Sequence, residues 1–524
     1  MKASIIEGNL EKLKAKIDQS ETVEEATVGE FVSIKGLRHK FFGIVTNLEL
    51  ASNNPQLDII PEPEERLLNE VMQGLSNYST AEINVALTMK ENELGISSIG
   101  PAKTIPVHYS IVETATEDDF QKVFGLPDSE HLWIGTPPNN REIPVCINME
   151  RLIERSNGIF GKTGTGKTFL VRMLLAQLIK CSKVTNLIFD MHNEYGWEGV
   201  NENGTVVKGL KQLFGQKVLI FSLDPDSSRR RNVKIDFPIK IPYTDLVPRD
   251  LILLRKELGL NKTAEEIFLA MEDEYQEEWL LKLLQFKREE VNDIANKKNI
   301  HSGAFRATHS KIQKLKRLKF FTDQPVQKSA IDAIMENIDA GKNIVIEFGS
   351  YSTSLVNILV SNLLTTRLHK RFVEKTERWL ATKQDQPRRL MITIEEAHKF
   401  LTSELANQTI FGTIAREMRK YFVTLLVVDQ RPSQIDKEIM SQLGTRITGA
   451  LNDEADIKST LVGVAKGQML EKILQNLESK KQALIMGHGI PIPVSITTRE
   501  YDQNFYNEMM DLEEVKQMAE DLFS

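Results

Sequence analysis

At 524 residues the chain has room for two to four domains of about 150 residues each and for a large buried core. Hydrophobic residues at 41% and charged residues at 27% exclude a wholly disordered, collagen-like or coiled-coil chain. Lys and Arg number 66 against 73 Asp and Glu, a net charge of −7, which argues against a protein that coats nucleic acid everywhere but not against a local basic channel.

The opening MKASIIEGNLEKLKAKI is charged and lacks the apolar core of a secretory signal, and residues 1–25 are expected to form an amino-terminal helix. Residues 26–140 carry VGEFVSIKG, FFGIVTNLEL, INVALTMK and VHYSIVE, short runs rich in β-branched and aromatic residues, with one helical stretch around 64–75. A small β-barrel is the economical reading. From about residue 141 the character changes. NGIFG, NLIFD, KVLIFSL, NIVIEF, LMITIE, FVTLLVVDQ and QALIMG are continuous apolar runs alternating with helical stretches, the pattern of a mostly parallel sheet covered on both faces.

The fold class is therefore α/β, with the sheet-forming core divided into 141–244 and 336–500. Between them, 245–335 is charge-dense with Leu and Ile at helical spacing, and reads as an inserted helical subdomain. Its basic run Lys311, Lys314, Lys316, Arg317 and Lys319 suits either the solvated face of an amphipathic helix or contact with a phosphate backbone. Residues 501–524 read as a carboxy-terminal helical extension. Cys146 and Cys181 lie far apart and supply neither a disulfide framework nor a four-ligand metal site, so a reducing cytoplasm is the expected compartment. The longest apolar runs, such as Phe422–Val428, fall well short of the ~20 residues that span a bilayer, and no membrane association is expected.

Gly161-Lys162-Thr163-Gly164-Thr165-Gly166-Lys167-Thr168 fits G-x-x-x-x-G-K-[ST]. Glycines let the backbone wrap phosphates with N–H groups pointing inward, Lys167 supplies a cation for the β and γ oxygens, and Thr168 a hydroxyl for Mg²⁺. An apolar GIF precedes the loop, and a helical stretch opening at Phe169 follows it, so the helix dipole also favours phosphate. ATP with Mg²⁺ is the expected ligand.

A phosphoryl-transfer enzyme also needs acidic groups for the metal and the attacking water. The run LMITI ends in Glu395 and Glu396, expected to divide that work: Glu395 helps hold the Mg²⁺ shell, and Glu396 orients the water. FVTLLVVD ends at Gln430, an amide placed to sense the γ-phosphate or the water. Arg416 and Arg419, three apart on one helical face, are candidates for an arginine supplied to a neighbour's site. Asp190, His192 and Glu194 alternate on an extended segment that either binds its own metal or shapes the nucleotide site.

In this order the motifs resemble the HerA family of hexameric DNA-translocating ATPases, in the HerA/FtsK branch of RecA-like P-loop proteins. The matching pieces are Gly135-Thr136, Leu152-Ile153-Glu154-Arg155, GKTGTGKT, Phe189-Asp190-Met191-His192-Asn193-Glu194-Tyr195, IEEAHKF, IAREMRK, VVDQRPSQID and QALIMGHGIPIPV, spanning about 130–500. Met418 stands where the family often has glycine, and Glu395 where aspartate is common. The resemblance implies a RecA-like core behind a small barrel, and a homohexameric ring that threads double-stranded DNA. It implies Glu396 as catalytic carboxylate, Gln430 as sensor, Arg419 or else Arg416 as the finger in trans, and Arg155 as a further cation near the site. No nuclease motif is visible, so a separately encoded partner is expected, a NurA-like nuclease or a defence effector. An ATP-binding scaffold ring with little translocation is the alternative, and a secretion or conjugation ATPase a third reading.

Overall fold

The computed structural model describes residues 1–18, 20–52, 77–91, 97–200, 204–298, 300–326, 328–465, 467–478 and 480–510. The chain divides into two units, Met1–Asn148 with Ala465–Arg499, and Met149–Val464 with the residues from Glu500 onward.

The first unit opens with strands. Alternation decides this: Ala3 and Ile5, then Leu13, Ala15 and Ile17, are buried while the lysines and glutamates between them face outward. That two-residue period makes β1 (Lys2–Gly8) and β2 (Leu13–Ile17) an antiparallel pair, where the sequence reading expects a helix. With β3 (Phe31–Lys35), β4 (Lys40–Ser52), β5 (Asn77–Glu91) and β7 (Ile111–Thr114) they follow the order β2-β1-β7-β3-β4-β5, and β2 pairs again with β5 to close a six-stranded barrel. Strand β6 (Ser97–Pro101) adds to β5 outside the ring. The expected helix around 64–75 lies outside the described residues. Helix α1 (Glu117–Phe124), started by a Thr116–Asp119 capping box, lays Phe120 and Phe124 on Phe31 and Phe42. After it come β8 (His131–Thr136) and β9 (Val145–Asn148), an antiparallel pair.

The second unit is a parallel sheet. β10 (Asn157–Phe160), α2 (Lys167–Cys181), β11 (Thr185–Asp190), β12 (Val218–Ser222) and α3 (Pro225–Arg230) lead into the helical insert. The insert's helices include α4 (Thr263–Tyr275), α5 (Trp279–Gln285), α6 (Arg288–Lys297) and α7 (Ser302–Ile312). Its base is a two-residue parallel pairing of Ile241–Pro242 with Phe321–Thr322, so the insert closes before residue 335, and helix Ala330–Asp339 instead leads into the sheet. Trp279, Phe268 and Phe305 are buried in one continuous core with the sheet residues, which makes the insert part of the unit's packing. The sheet resumes with β13 (Asn343–Glu347), helix α8 (Ser354–Thr382), β14 (Leu390–Glu395), helix α9 (Ile410–Glu417), β15 (Val423–Asp429) and β16 (Thr445–Gly449). Strand order is β12-β13-β11-β14-β15-β10-β16, and each of these pairings is parallel. Most of these strands are buried along their whole length, as a sheet covered on both faces requires.

The last strands return to the first unit. β17 (Gln482–Gly487) runs antiparallel to β18 (Val494–Thr498), which pairs with β8. QALIMG, expected in a mostly parallel sheet, pairs antiparallel with β18 because the two strands are joined by residues 488–493 alone, too short a link for the crossover that a parallel pairing needs. Helix α10 (Gln503–Met509) follows, and residues 511–524 lie outside the described ones. No helix among the described residues is long and apolar enough to cross a membrane.

Phe42, fully buried, stacks on Phe31 at 5.4 Å between ring centroids and meets Phe120 edge-on at 5.7 Å. Phe42→Ala is expected to cost about 3–5 kcal/mol, read as a lower urea midpoint for the barrel's unfolding.

Candidate active site

The phosphate loop joins the carboxyl end of β10 to the amino end of α2. Gly164 and Gly166 take φ of 83° and 86°, left-handed values that a side chain would strain. A Cβ on Gly166 would meet nothing within 4 Å, so backbone conformation and not crowding selects glycine there. The loop is tied to two neighbouring strands: Gly161 N–H donates to Asp429 O at 3.3 Å, and Lys162 N–H to Ala450 O at 3.0 Å. Lys162 Nζ also reaches Asn452 Oδ1 at 3.0 Å, and Thr165 Oγ1 closes the turn on Lys162 O at 2.8 Å.

Side chains from the strand ends converge on this loop. Lys167 Nζ lies 3.4 Å from Gly161 O. Burial lowers its pKa, and Asp429, Glu396, Glu395 and Glu194 oppose that by attraction. The lysine at the loop and the glutamates at the end of β14 thus lie near enough to interact by charge, although a whole strand, β15, stands between β10 and β14. Thr163 Oγ1 donates to Gln430 Oε1 at 2.7 Å, and Gln430 Nε2 donates to Glu396 Oε1 at 3.2 Å. One hydrogen-bonded chain therefore runs from the loop through Gln430 to Glu396.

The two glutamates separate because the chain turns between them. Glu395 ends β14, buried, while Glu396 adopts φ 49° and ψ 45°, a left-handed conformation uncommon outside glycine and asparagine. Beyond the turn, His398 N–H donates to Asp429 Oδ2 at 2.7 Å, and the ring Nδ1 lies 3.0 Å from the same oxygen. Burial raises the Asp429 pKa, but the hydrogen bond and charge of His398 hold it below the ordinary carboxylate value. The bond to Asp429 in turn raises that of His398.

The segment after β11 supplies what spacing alone did not show. The buried Asp190 carboxylate accepts N–H bonds from Glu194, Tyr195 and Gly196 at 2.7, 2.8 and 3.2 Å. This folds the turn so that Glu194 Oε2 receives the Thr168 hydroxyl at 3.0 Å and the Tyr195 hydroxyl donates to Glu395 Oε1 at 2.7 Å. Arg172 of α2 donates to Glu194 O, and its guanidinium lies over the Phe169 ring at 5.8 Å. Phe169 also faces the Tyr501 ring at 6.2 Å. His192 is exposed, so the alternating Asp190, His192 and Glu194 point to different environments.

Glu395 differs from its expected part. Burial first, then the Asp190 charge, pushes its pKa up to about 8, so it is neutral at pH 7. Its Oε2 is buried without a hydrogen-bond partner. The carboxylate on Thr168 is Glu194. Among the described residues no three His, Cys, Asp or Glu side chains gather as a metal cage. The hydroxyl–carboxylate pair Thr168–Glu194 instead fits a magnesium ion that keeps waters and binds substrate phosphate.

The arginines lie elsewhere. Arg416 Nη1 is 4.0 Å from Glu438, and Arg419, its side chain 61% exposed, is 3.5 Å from Glu154. Arg155 is exposed, and its backbone carbonyl accepts from Asn157 at 2.8 Å. These contacts tie none of the three to the chain's own phosphate loop.

A buried acid with a raised pKa favours the fold fully below its unfolded value, and that contribution is lost as pH rises through the folded one. For Glu395 the window runs from about 4.5 to about 8. Glu395→Gln, neutral throughout and still able to accept from Tyr195, is expected to remove this downward slope in unfolding free energy, measured by urea titration between pH 5 and 9.

Residues 132–368 match the family described as helicase HerA, central domain. The chain is 25% identical to a probable helicase of Methanocaldococcus jannaschii, over 94% of this chain and 90% of that one. It is 24% identical to the DNA double-strand break repair helicase HerA of Sulfurisphaera tokodaii, over 92% of each. Among solved structures, VirB4 of Thermoanaerobacter pseudethanolicus is similar at a TM-score of 0.45 and 13% identity, covering 72% of this chain and 99% of that one. Residues 132–368 thus carry a HerA-type central domain, and with its phosphate loop in place the chain is a P-loop ATPase similar to these helicases over nearly its whole length.

Proposed function

We propose that this ATPase is a motor that moves duplex DNA through a homohexameric ring, beside a separately encoded nuclease or other effector. The observation that carries the reading is the convergence of Lys167, the Thr168–Glu194 pair and the Thr163–Gln430–Glu396 chain on one glycine-rich turn. Relatives named as DNA double-strand break repair helicases support DNA as the track.

In this reading the backbone N–H groups of Thr163 to Thr168 cradle the triphosphate, with Lys167 on the β and γ oxygens. Thr168 and Glu194 would hold a magnesium ion, which when bound would neutralise charge on those oxygens. Glu396 accepts a hydrogen bond from the attacking water and orients it toward the γ-phosphorus. Gln430, already bridging Thr163 and Glu396, registers whether the γ-phosphate is present. Charge on the transferring phosphoryl group is met by Arg419 of the adjacent protomer, with Arg416 the alternative and Arg155 a further cation at that boundary. Glu395 stands behind Tyr195 as a support.

Lys167→Ala is expected to abolish or strongly weaken ATP binding by fluorescent-nucleotide titration; wild-type affinity in that variant would reject the cradle. Glu396→Gln is expected to bind ATP normally and to turn over about 10²–10⁴-fold more slowly in single-turnover assays. Linear duplex DNA is expected to stimulate steady-state hydrolysis. Full ATPase with no stimulation, in a preparation that still activates an effector, would instead favour a scaffold ring.

A further inference from the structure

Two basic runs far apart in sequence meet on one surface of the ATPase unit. Arg229 and Arg230 end α3, and Lys316, Arg317 and Lys319 follow α7 at the edge of the insert. Arg229 Nη2 and Lys319 Nζ share the Asp226 carboxylate, at 2.6 and 3.7 Å. Lys240 Nζ donates to Lys319 O at 2.7 Å, which brings a sixth cation alongside. All six side chains belong to exposed residues, and Arg230, Lys316 and Arg317 have no ion-pair partner among the described residues. Asp226 and Asp224 lie beside Arg229, Arg230 and Lys319, with Asp224 drawn to Arg230 by charge and bonded by Ser227 N–H and by the N–H and hydroxyl of Ser350, whereas Lys240 also lines a cavity with Asp245, Glu277, Asp332 and Glu374. Arg229, Arg230, Lys316, Arg317 and Lys319 outnumber Asp224 and Asp226, which leaves a net positive patch in a chain of net charge −7.

The backbone under the surface is fixed. Arg231, next to the pair, bonds the buried Glu347 at the end of β13 at 2.6 Å, and Lys319 N–H donates to the Tyr351 hydroxyl at 3.1 Å. Because α3 leaves the carboxyl end of β12, the surface lies on the same edge of the parallel sheet as the phosphate loop. The strand order puts five inter-strand steps between them, roughly 24 Å at ~4.8 Å each.

We propose that Arg229, Arg230, Lys316, Arg317 and Lys319 bind the phosphate backbone of duplex DNA. The proposal rests on the reading of this chain as a DNA motor and names a surface for its track. The cations are spread over an exposed face and do not close on a pocket, which suits a repeating polyanion. Contacts to phosphate alone carry no sequence information, as a motor that passes over every sequence requires.

The test is fluorescence anisotropy of a labelled 30-base-pair duplex with the full chain at several NaCl concentrations. Variants are Lys316→Gln/Arg317→Gln/Lys319→Gln, Arg229→Gln/Arg230→Gln, and the charge-keeping Lys316→Arg/Lys319→Arg, each checked for wild-type far-UV circular dichroism and melting. Each neutralised phosphate contact is worth about 0.9 in the slope of log affinity against log salt. The first variant is therefore expected to lose at least tenfold in affinity and about 2–3 in slope, the second about 1–2 in slope, and the third neither. Duplex binding by the wild type with unchanged affinity and slope in both glutamine variants would overturn the surface while leaving the motor. Failure of the wild type to bind duplex at all, with or without nucleotide, would overturn the motor reading itself. Variants that keep duplex affinity but lose affinity for poly-L-glutamate would assign the surface to an acidic polypeptide and reject the proposal.

Discussion

One buried carboxylate organises the site. Asp190 sits at the end of β11 with no exposure and spends both oxygens on the N–H groups of the next turn. Burial raises its pKa despite those donors and Arg172, so the turn is the means by which this group is accommodated at all. Every contact that brings the segment to the nucleotide side follows: Glu194 on Thr168, Tyr195 on Glu395, and Arg172 on the Glu194 carbonyl. Removing the carboxylate would leave three N–H donors in a buried turn without their acceptor.

Asp190 belongs to a row. Glu347, Asp190, Glu395 and Asp429 stand at or near the carboxyl ends of β13, β11, β14 and β15, all buried, in adjacent strands of the sheet. A parallel sheet aligns such ends by its register, as with Asp190 directly opposite Glu347. Each acid meets burial differently. Arg231 pairs with Glu347, backbone donors fold around Asp190, Glu395 is neutral, and His398 pairs with Asp429. Only the last has its pKa held down, and it is the one whose strand also carries Gln430 at the phosphate loop.

Much of this was legible because local sequence dictates local backbone. Glycines at 164 and 166 select left-handed turns, and apolar runs of four to seven residues select buried parallel strands, so the phosphate loop and the acidic strand end could be placed without a structure. The barrel's first hairpin was misjudged because its lysines and glutamates also suit a helix; the alternation of Leu13, Ala15 and Ile17 was the available signal. The pairings that complete the site were out of reach. Tyr195 and Glu395 are 200 residues apart and Thr163 and Gln430 are 267 apart, and no period in a single chain reports such contacts. Glu194 lay within a motif already singled out, but only the fold of the turn sets it on Thr168.

The hairpin of β17 and β18 has a bearing on how the protein is made. Strand β8 takes β18 as an antiparallel neighbour, Thr136 opposite Thr497, and that neighbour is translated about 360 residues later. At about 5–20 residues per second the ribosome needs tens of seconds to deliver it. Until then the nascent β8–β9 hairpin presents a free edge, open to mispairing with other emerging chains. Final closure of the smaller unit must wait for the ATPase unit, encoded in between, to be synthesised first.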